Sequence, residues 1–183
     1  MEIEIRAKLD NKEETIKKLR ELGWIGEDEI DQEDTYYVHK TIEKELRGAG
    51  DPIMRIRKSP KGHFLTVKVL TEEKGVWVEH ETEVINLEET KNILVKTGFV
   101  KTFIIEKKRI KGKIDDMEVC IDDLNKIGPY VECEIISDDK DSAFERLSDF
   151  LKSIGISEEN FERRGYGRIF AEMEGIKFDD SIN

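Results

Sequence analysis

Charged and apolar residues alternate along short stretches of the chain, and this alternation constrains the fold more than any other feature. Residues 2–8, which read EIEIRAK, are the first such stretch. Because successive side chains of a β-strand point to opposite faces, one face of this strand is apolar and the other carries two acids followed by two bases. These polar residues are Glu2, Glu4, Arg6 and Lys8.

Later stretches with the same alternation, and with the β-branched and aromatic residues typical of strands, predict a sheet. The predicted strands cover residues 2–8, 34–39, 53–58, 63–70, 76–85, 99–110, 113–122 and 130–136, with Gly112 and Gly128-Pro129 at turns. Three helices are predicted from apolar residues at helical spacing, and they end at Gly23, Gly98 and Gly155. Their predicted N-caps are Asp10, Asn86, and Ser137 or Asp138. Residues 24–33 predict a turn or short strand, and residues 40–51 predict a loop.

The helices need an apolar surface to pack against, and the apolar faces of the strands provide one. If helices cover the outside of a closed or strongly curved sheet, the charged faces point inward. A lumen lined by charged side chains costs free energy unless a ligand fills it. A polyanion with bound divalent cations fits such a lumen, because carboxylates bind Mg²⁺ or Mn²⁺ and arginine binds phosphate oxygens through paired hydrogen bonds. The pattern predicts an α+β fold with an antiparallel sheet.

Composition limits the partners of the protein. The 183 residues carry a net charge of −11, which argues against nonspecific binding to nucleic acid or to an anionic membrane. No apolar run is long enough to span a bilayer, and a strand that starts at residue 2 leaves no room for a targeting segment, so we expect a cytoplasmic protein. Cys120 and Cys133 lack the spacing of metal ligands, and we predict that they are buried strand residues in a reducing compartment.

Seven charged motifs follow one another along the chain. They are Glu2-x-Glu4-x-Arg6, Arg55-x-Arg57, Thr66-x-Lys68, Glu79-x-Glu81-x-Glu83, Lys107-x-Arg109, Asp122, and Glu132-x-Glu134. In this order they resemble the signature of the CYTH family, which comprises class IV adenylyl cyclases and thiamine triphosphatases and is also called the triphosphate tunnel metalloenzymes. The resemblance covers about residues 1–170, and the subgroup that the chain most resembles is the archaeal and thermophilic cyclases.

The resemblance implies an eight-stranded closed antiparallel β-tunnel with helices packed outside, formed by a single domain of residues 1–172 and followed by a frayed tail of residues 173–183. It implies Mg²⁺ or Mn²⁺ as the cofactor and a triphosphate, with ATP favoured, as the substrate. The implied metal ligands are Glu2, Glu4, Asp122, Glu132 and Glu134. The implied triphosphate-binding residues are Arg6, Lys8, Arg55, Arg57, Lys68, Lys107 and Arg109. Glu79, Glu81 and Glu83 are candidates for binding metal or for supporting its ligands.

One position departs from the family signature. The signature's lysine is Arg6 in this chain, and arginine is effectively never deprotonated, so Arg6 can bind phosphate but cannot transfer a proton. Lys8 is the alternative where a lysine is needed. We therefore predict Glu4 and Lys8 as the catalytic residues.

Two reactions fit the implied site. In the cyclase reaction the ribose 3′-hydroxyl attacks the α-phosphorus, whereas in the triphosphatase reaction water attacks the terminal phosphorus; both depend on metal and positioned cations. The cyclase reaction also needs a pocket for base and ribose. Candidate residues for that pocket are Tyr36, Tyr37, Phe64 and Tyr166. A non-catalytic module that binds nucleotide or polyphosphate, and a protein with solvated charged strands and no site, are the remaining alternatives. The sequence leaves the oligomeric state open, with a homodimer among the alternatives.

Overall fold

The computed structural model describes residues 1–41, 52–72 and 76–175. In chain order its helices and strands are β1 (Glu2–Lys8), α1 (Lys12–Glu21), β2 (Ile25–Gly26), β3 (Ile30–His39), β4 (Pro52–Ser59), β5 (Gly62–Leu70), β6 (Val76–Glu83), α2 (Leu87–Lys96), β7 (Phe99–Ile114), β8 (Met117–Leu124), β9 (Gly128–Ile136), α3 (Lys140–Ser153), β10 (Phe161–Glu162) and α4 (Tyr166–Met173). Most of the predicted loop, residues 42–51, and most of the predicted tail, residues 176–183, lie outside the described residues. Helix α4 forms where the sequence pattern predicted no helix.

The predicted fold class, an α+β barrel of eight antiparallel strands with helices outside, is confirmed. The two remaining strands, β2 and β10, have two residues each and pair with β7 and β1. The chain divides into two compact units. The first comprises Met1–Asp31 and Lys107–Arg164, and the second comprises Gln32–Glu106 and Gly165–Asn183. Strand β7 begins in the second unit and ends in the first. A single domain over residues 1–172 stays a prediction.

Strand β1 is central to the first unit. It pairs with β9 on one side, where Glu4 lies opposite Glu134 and Arg6 lies opposite Glu132, and it also pairs with the short strand β10. Strand β9 pairs with β8, which in turn pairs with the end of β7. Helix α3 packs against β1 and β9. As the alternation predicted, the apolar face of β1 is buried, with Ile3 and Ile5 fully excluded from solvent.

The second unit contains a meander of four antiparallel strands, β3 to β6. Its register places Asp34 opposite Arg57, and places Lys68 opposite Glu79. A buried apolar cluster forms beside these strands, and α2 contributes Leu94 to it. The sheet pairing therefore brings acids and bases from consecutive strands next to one another.

The described helices are short, and two of the three predicted N-caps were wrong by one or two residues. Asn11, not Asp10, caps α1, because its side-chain oxygen accepts the backbone N–H of Glu14 at 3.1 Å. Asp139 caps α3 in the same way, and Asn86 caps α2 as predicted. The longest of these helices has 14 residues, and none of the described helices is long and apolar enough to cross a membrane.

Gly112 does not turn the chain as predicted, because β7 continues to Ile114. Its backbone pairs with Val119 of β8, and the chain reverses at Asp115, whose φ is 52°. A Cβ atom on residue 112 would lie 2.4 Å from Trp24 Nε1 and 2.6 Å from the carbonyl oxygen of Ile25. Glycine is therefore required at this position by the close approach of the Trp24 indole and β2.

The Gly112→Ala variant is expected to be less stable by about 1–3 kcal/mol, because the added methyl group must displace a buried indole or a backbone carbonyl. The displacement would also disturb the hydrogen bond from Trp24 Nε1 to the Val119 carbonyl, which is 3.0 Å long. Chemical denaturation measures the loss, and tryptophan fluorescence reports the movement of the indole. An unfolding free energy and an emission spectrum both equal to those of the original chain would contradict the expectation.

Candidate functional site

Three carboxylates of the first unit come together where β1 pairs with β9. We call them the carboxylate cluster: Glu2, Glu4 and Glu134. Each offers an oxygen, and these oxygens all lie within 4.8 Å of one another. The cluster forms because Glu2 and Glu4 alternate on one face of β1, and Glu134 lies directly opposite Glu4 on β9.

Glu4 is fully buried, and neither of its carboxylate oxygens has a hydrogen bond within the described residues. Arg6 Nη2 lies 2.7 Å from Glu4 Oε1, in an ion pair that lacks hydrogen-bonding geometry. A buried carboxylate with no hydrogen bond is unfavourable unless another group compensates it. Carboxylate oxygens are the ligands that Mg²⁺ and Mn²⁺ prefer. The cluster therefore fits the divalent cation that the resemblance implies.

The pKa of Glu134 is raised by its burial and by the neighbouring carboxylates. Burial is the largest cause that raises its pKa, and the carboxylates of Glu2, Glu132, Glu118 and Glu4 raise it further, to about 8 from an ordinary value of 4.5. In the metal-free protein, Glu134 therefore keeps its proton at neutral pH. Binding of a cation at this position would release that proton, because a carboxylate binds metal in its ionised form.

The raised pKa of Glu134 predicts how the stability of the metal-free protein depends on pH. A carboxyl group whose pKa is raised on folding stabilises the folded state while it is protonated, and this contribution is lost as pH rises from about 4.5 through about 8. We expect the unfolding free energy measured in EDTA to fall across this range, by at most about 1.4 kcal/mol per pH unit from this group. The Glu134→Gln variant should lack this part of the slope. An identical slope in both proteins would contradict the assignment.

Charged residues from four strands of the first unit form what we call the buried ion-pair network: Arg6, Lys107, Arg109, Asp122 and Glu132. Arg109 Nε donates to Asp122 Oδ1 at 2.6 Å, and its Nη2 donates to Glu132 Oε1 at 2.7 Å. Lys107 Nζ lies 3.3 Å from Asp122 Oδ2. Glu132 also accepts from Arg6 Nε at 2.7 Å and so bridges the two arginines.

The ion pairs of this network shift the pKa values of Asp122 and Arg109. Burial acts to raise the pKa of Asp122, but the charges of Arg109 and Lys107 outweigh it and hold that pKa below its ordinary value. The same ion pairs keep the pKa of Arg109 well above its ordinary value despite burial. Asp122 and Glu132, which we predicted to bind metal, thus bond to bases in the described structure. Their role as metal ligands stays a prediction.

Strands β3 to β6 carry a further group of residues in the second unit, which are all charged except Thr66. We call it the second-unit cluster: Asp34, Arg55, Arg57, Thr66, Lys68, Glu79 and Glu81. Arg55 Nη2 donates to Thr66 Oγ1 at 2.9 Å and to Glu81 Oε2 at 3.1 Å. Lys68 Nζ lies 2.6 Å from Glu79 Oε2. Burial acts to raise the pKa of Glu79, but Lys68 and Arg55 lower it overall.

Two residues predicted for the site lie outside these groups. Lys8 is exposed at the end of β1, and Glu83 is exposed on β6, opposite Phe64. The sequence reasoning missed Asp34, which bonds to Arg57, and Arg164, whose carbonyl accepts from Arg6 Nη1 at 3.2 Å. An aspartate within a predicted strand, where aspartate is uncommon, is a sequence signal for the first of these. No sequence signal marks a backbone carbonyl.

Of the four residues predicted for a nucleoside pocket, three are buried or in contact with other apolar side chains. The Tyr36 ring lies 5.0 Å from the Phe103 ring, Tyr37 belongs to the buried apolar cluster of the second unit, and Tyr166 is buried at the start of α4. Phe64 is half-buried on β5. Their role in binding a nucleoside stays a prediction.

An antiparallel α+β barrel whose strands carry clustered carboxylates and paired arginines is the architecture that the sequence resemblance to the CYTH family implied. Comparison with known sequences agrees with that resemblance. The model of the CYTH domain family matches residues 1–166. The chain belongs to the CYTH family.

One relative and two solved structures show how far the similarity extends. A "putative adenylate cyclase" of Methanocaldococcus jannaschii is 33% identical over 181 residues, which is 96% of this chain and 99% of the relative. A conserved hypothetical protein from Pyrococcus furiosus has a TM-score of 0.79 and 26% identity, over 91% of this chain and 98% of its own. The structure of a "putative adenylyl cyclase" from Hippeastrum, described as having a dominant triphosphatase activity, has a TM-score of 0.65 and 16% identity over 95% of both chains and is similar in fold.

Proposed function

We propose that this chain is a divalent-metal-dependent enzyme that acts on a triphosphate, and that its reaction is the adenylyl cyclase reaction, which converts ATP to cyclic AMP and pyrophosphate. The observation that carries the proposal is the carboxylate cluster, in which the buried carboxylate of Glu4 has no hydrogen bond within the described residues. The relative that is 33% identical over nearly the whole chain, and whose name refers to adenylate cyclase, supports the choice of reaction.

Bound Mg²⁺ or Mn²⁺ would supply Lewis-acid polarisation and charge neutralisation at the phosphate oxygens. Glu2, Glu4 and Glu134 are the residues that would hold it. In the cyclase reaction the ribose 3′-oxygen forms a bond to the α-phosphorus, and the bond from that phosphorus to the bridging oxygen breaks. Pyrophosphate leaves with the electron pair, and the hydroxyl proton passes to a base. Lys8 stays our predicted residue for this proton transfer.

The bases of the buried ion-pair network would offset the charge that develops on pyrophosphate. In this network three bases face two acids, and Arg6 also pairs with Glu4 of the carboxylate cluster at 2.7 Å. Glu132 bonds to both Arg6 and Arg109, which orients the two guanidinium groups before a substrate arrives. Donors that are oriented in advance, in a site that excludes water, contribute most to stabilising a charged transition state.

Hydrolysis of a triphosphate is the second candidate reaction. The Hippeastrum protein, whose structure has the same fold, is described as a "putative adenylyl cyclase" with a dominant triphosphatase activity. Both reactions use the same metal and the same bases, and they differ in whether a ribose hydroxyl or water attacks. The substrate of this second candidate is inorganic triphosphate, thiamine triphosphate or a nucleoside triphosphate.

A product assay separates the two reactions. The purified protein is incubated with ATP, and in parallel with inorganic triphosphate, in the presence of Mg²⁺ or Mn²⁺, and the products are resolved by anion-exchange chromatography. Glu4→Gln is the inactive control. Asp116→Asn is the matched control for a carboxylate outside the site, because Asp116 is exposed and bonds to Arg146.

Cyclic AMP and pyrophosphate that are formed by the original chain and by Asp116→Asn, but not by Glu4→Gln, would support the cyclase reaction. ADP and phosphate, or turnover of inorganic triphosphate, would support the hydrolase. Metal-dependent binding of triphosphate without turnover would leave a binding module as the function. Products that persist in Glu4→Gln would point to a contaminating enzyme and would count against both reactions.

A further inference from the structure

Asp34 on β3 is the most buried carboxylate of the second-unit cluster. Its side chain is 3% exposed, whereas those of Glu79 and Glu81 are 19% and 39% exposed. Its two oxygens accept hydrogen bonds from Arg57 Nε and Nη2, each at 2.7 Å. This two-bond geometry fixes the plane of the Arg57 guanidinium as well as its position.

The pair with Asp34 leaves one side of the Arg57 guanidinium for another partner. Asp34 occupies the edge formed by Nε and Nη2, and Arg57 Nη1 has no hydrogen bond within the part of the chain that the structure describes. The N–H groups of Nη1 are therefore the donors that Arg57 can offer to an anion. Their direction is set by the contact with Asp34, because a guanidinium is planar and rigid.

Asp34 also affects the neighbouring arginine. Arg55 Nη1 lies 4.0 Å from Asp34 Oδ2, so one carboxylate lies near both guanidinium groups. Burial acts to lower the pKa of Arg55, but the surrounding acids, with Asp34 the strongest, raise it above its ordinary value. Arg55 therefore stays charged although it is buried.

We infer that Asp34 is a positioning residue that acts through Arg57: its carboxylate orients the Arg57 guanidinium, and keeps Arg55 beside it, so that both can bind the polyphosphate part of the substrate. The inference rests on the proposed function, since it assumes that these arginines bind phosphate. Glu79 and Glu81 have a different role in this arrangement. They are more exposed, they contact Lys68 and Arg55, and an incoming phosphate can replace them as counter-ions.

A purely structural ion pair would also be buried, so the test must separate positioning from stability. Inorganic triphosphate with Mg²⁺ is titrated into the original chain, Asp34→Asn, Arg57→Ala and the double variant, and Kd is measured by calorimetry below the melting temperature of every variant. We expect each single substitution to raise Kd on the order of tenfold. The double variant should bind more weakly than Arg57→Ala by much less than tenfold, because Asp34 then has only its 4.0 Å contact with Arg55 to maintain.

Two further variants complete the design. Asp116→Asn removes an exposed aspartate that bonds to both Nη groups of Arg146 and should keep the original Kd. Arg57→Lys keeps the charge but loses the planar guanidinium, so its Kd should rise by a factor similar to that of Asp34→Asn. Arg57→Lys also decides the matter if Asp34→Asn does not fold.

Three outcomes would overturn the inference. They are an unchanged Kd in Asp34→Asn, an equal further loss on adding Asp34→Asn to Arg57→Ala, and an unchanged Kd in Arg57→Lys. Each of them leaves the proposed function standing, because the original chain still binds triphosphate. Failure of the original chain to bind triphosphate would overturn the inference and the proposed function together. Binding without cyclic AMP formation would count only against the cyclase reaction.

Discussion

Replacing Glu4 with glutamine is expected to remove divalent-cation binding and turnover while the chain stays folded. Glu4 is the buried member of the carboxylate cluster, and neither of its oxygens has a hydrogen bond within the described residues. Changing a residue that merely supports a metal ligand costs about 10–100-fold in metal affinity, so changing a ligand itself should cost at least about 100-fold. Calorimetric titration with Mn²⁺ measures the affinity, and the chromatographic assay measures the turnover.

Stability should respond differently from function in this variant. In the absence of metal, the glutamine removes a buried negative charge beside Glu2, which offsets the loss of the ion pair with Arg6, and Arg6 keeps its bond to Glu132. The unfolding free energy measured in EDTA should therefore fall by less than in a variant that leaves a buried cation without its counter-ion. Asp116→Asn, at an exposed site, should bind Mn²⁺ as the original chain does. Binding of Mn²⁺ by Glu4→Gln with unchanged affinity would show that the carboxylate cluster is not the metal site.

Replacing Asp122 with asparagine is expected to have the largest effect on stability. Asp122 is fully buried, accepts two hydrogen bonds from Arg109, and lies 3.3 Å from Lys107 Nζ. The asparagine would leave two buried cations without their shared counter-ion, and breaking a buried ion pair on one side costs about 3–5 kcal/mol. In a chain of this size, such a loss corresponds to a fall of roughly 10 °C in Tm. Calorimetric or circular-dichroism melting curves measure it.

The exposed pair of Asp116 and Arg146 is the matched control for this experiment. Asp116→Asn removes an aspartate that makes similar contacts with an arginine, at 2.5 and 3.1 Å, but both side chains are exposed to solvent. Exposed ion pairs contribute little to stability. If the two variants lowered Tm equally, burial could not be the cause of the loss.

The alternation of charged and apolar residues was sufficient to predict most strands of the barrel. It also placed Glu2 and Glu4 on one face of β1, because side chains alternate with a period of two whatever the partner strand is. It could not show that Glu134 lies opposite Glu4, because that depends on the register between strands that are far apart in sequence. The sequence thus predicts that carboxylates form the site, but it does not predict which carboxylates come together.

Other features of the structure were also not predictable from the sequence, because they depend on contacts between residues far apart along the chain. Sequence alone could not show that Asp122 and Glu132 bond to Arg109, and their grouping with the metal ligands stays a prediction. Asp34 was missed because the predicted strand started at residue 34, and a residue at the end of a strand is expected to be exposed. Strand β3 starts at Ile30, so Asp34 lies in the middle of the strand and is buried. Gly112 was read as a turn, because a glycine needed for close packing and a glycine needed for a turn look alike in sequence.

The pairing of β1 with β9 has a consequence for how the protein is made. Arg6 and Glu132 bond to each other across 126 positions of sequence, and strand β1 is synthesised long before β9. During synthesis on the ribosome, β1 cannot pair with β9 until the chain has been extended through β9. Contacts between such distant segments also slow folding, because a long loop must close before they form. The carboxylate cluster is therefore assembled late, and a chain truncated before β9 would carry Glu2 and Glu4 without Glu134.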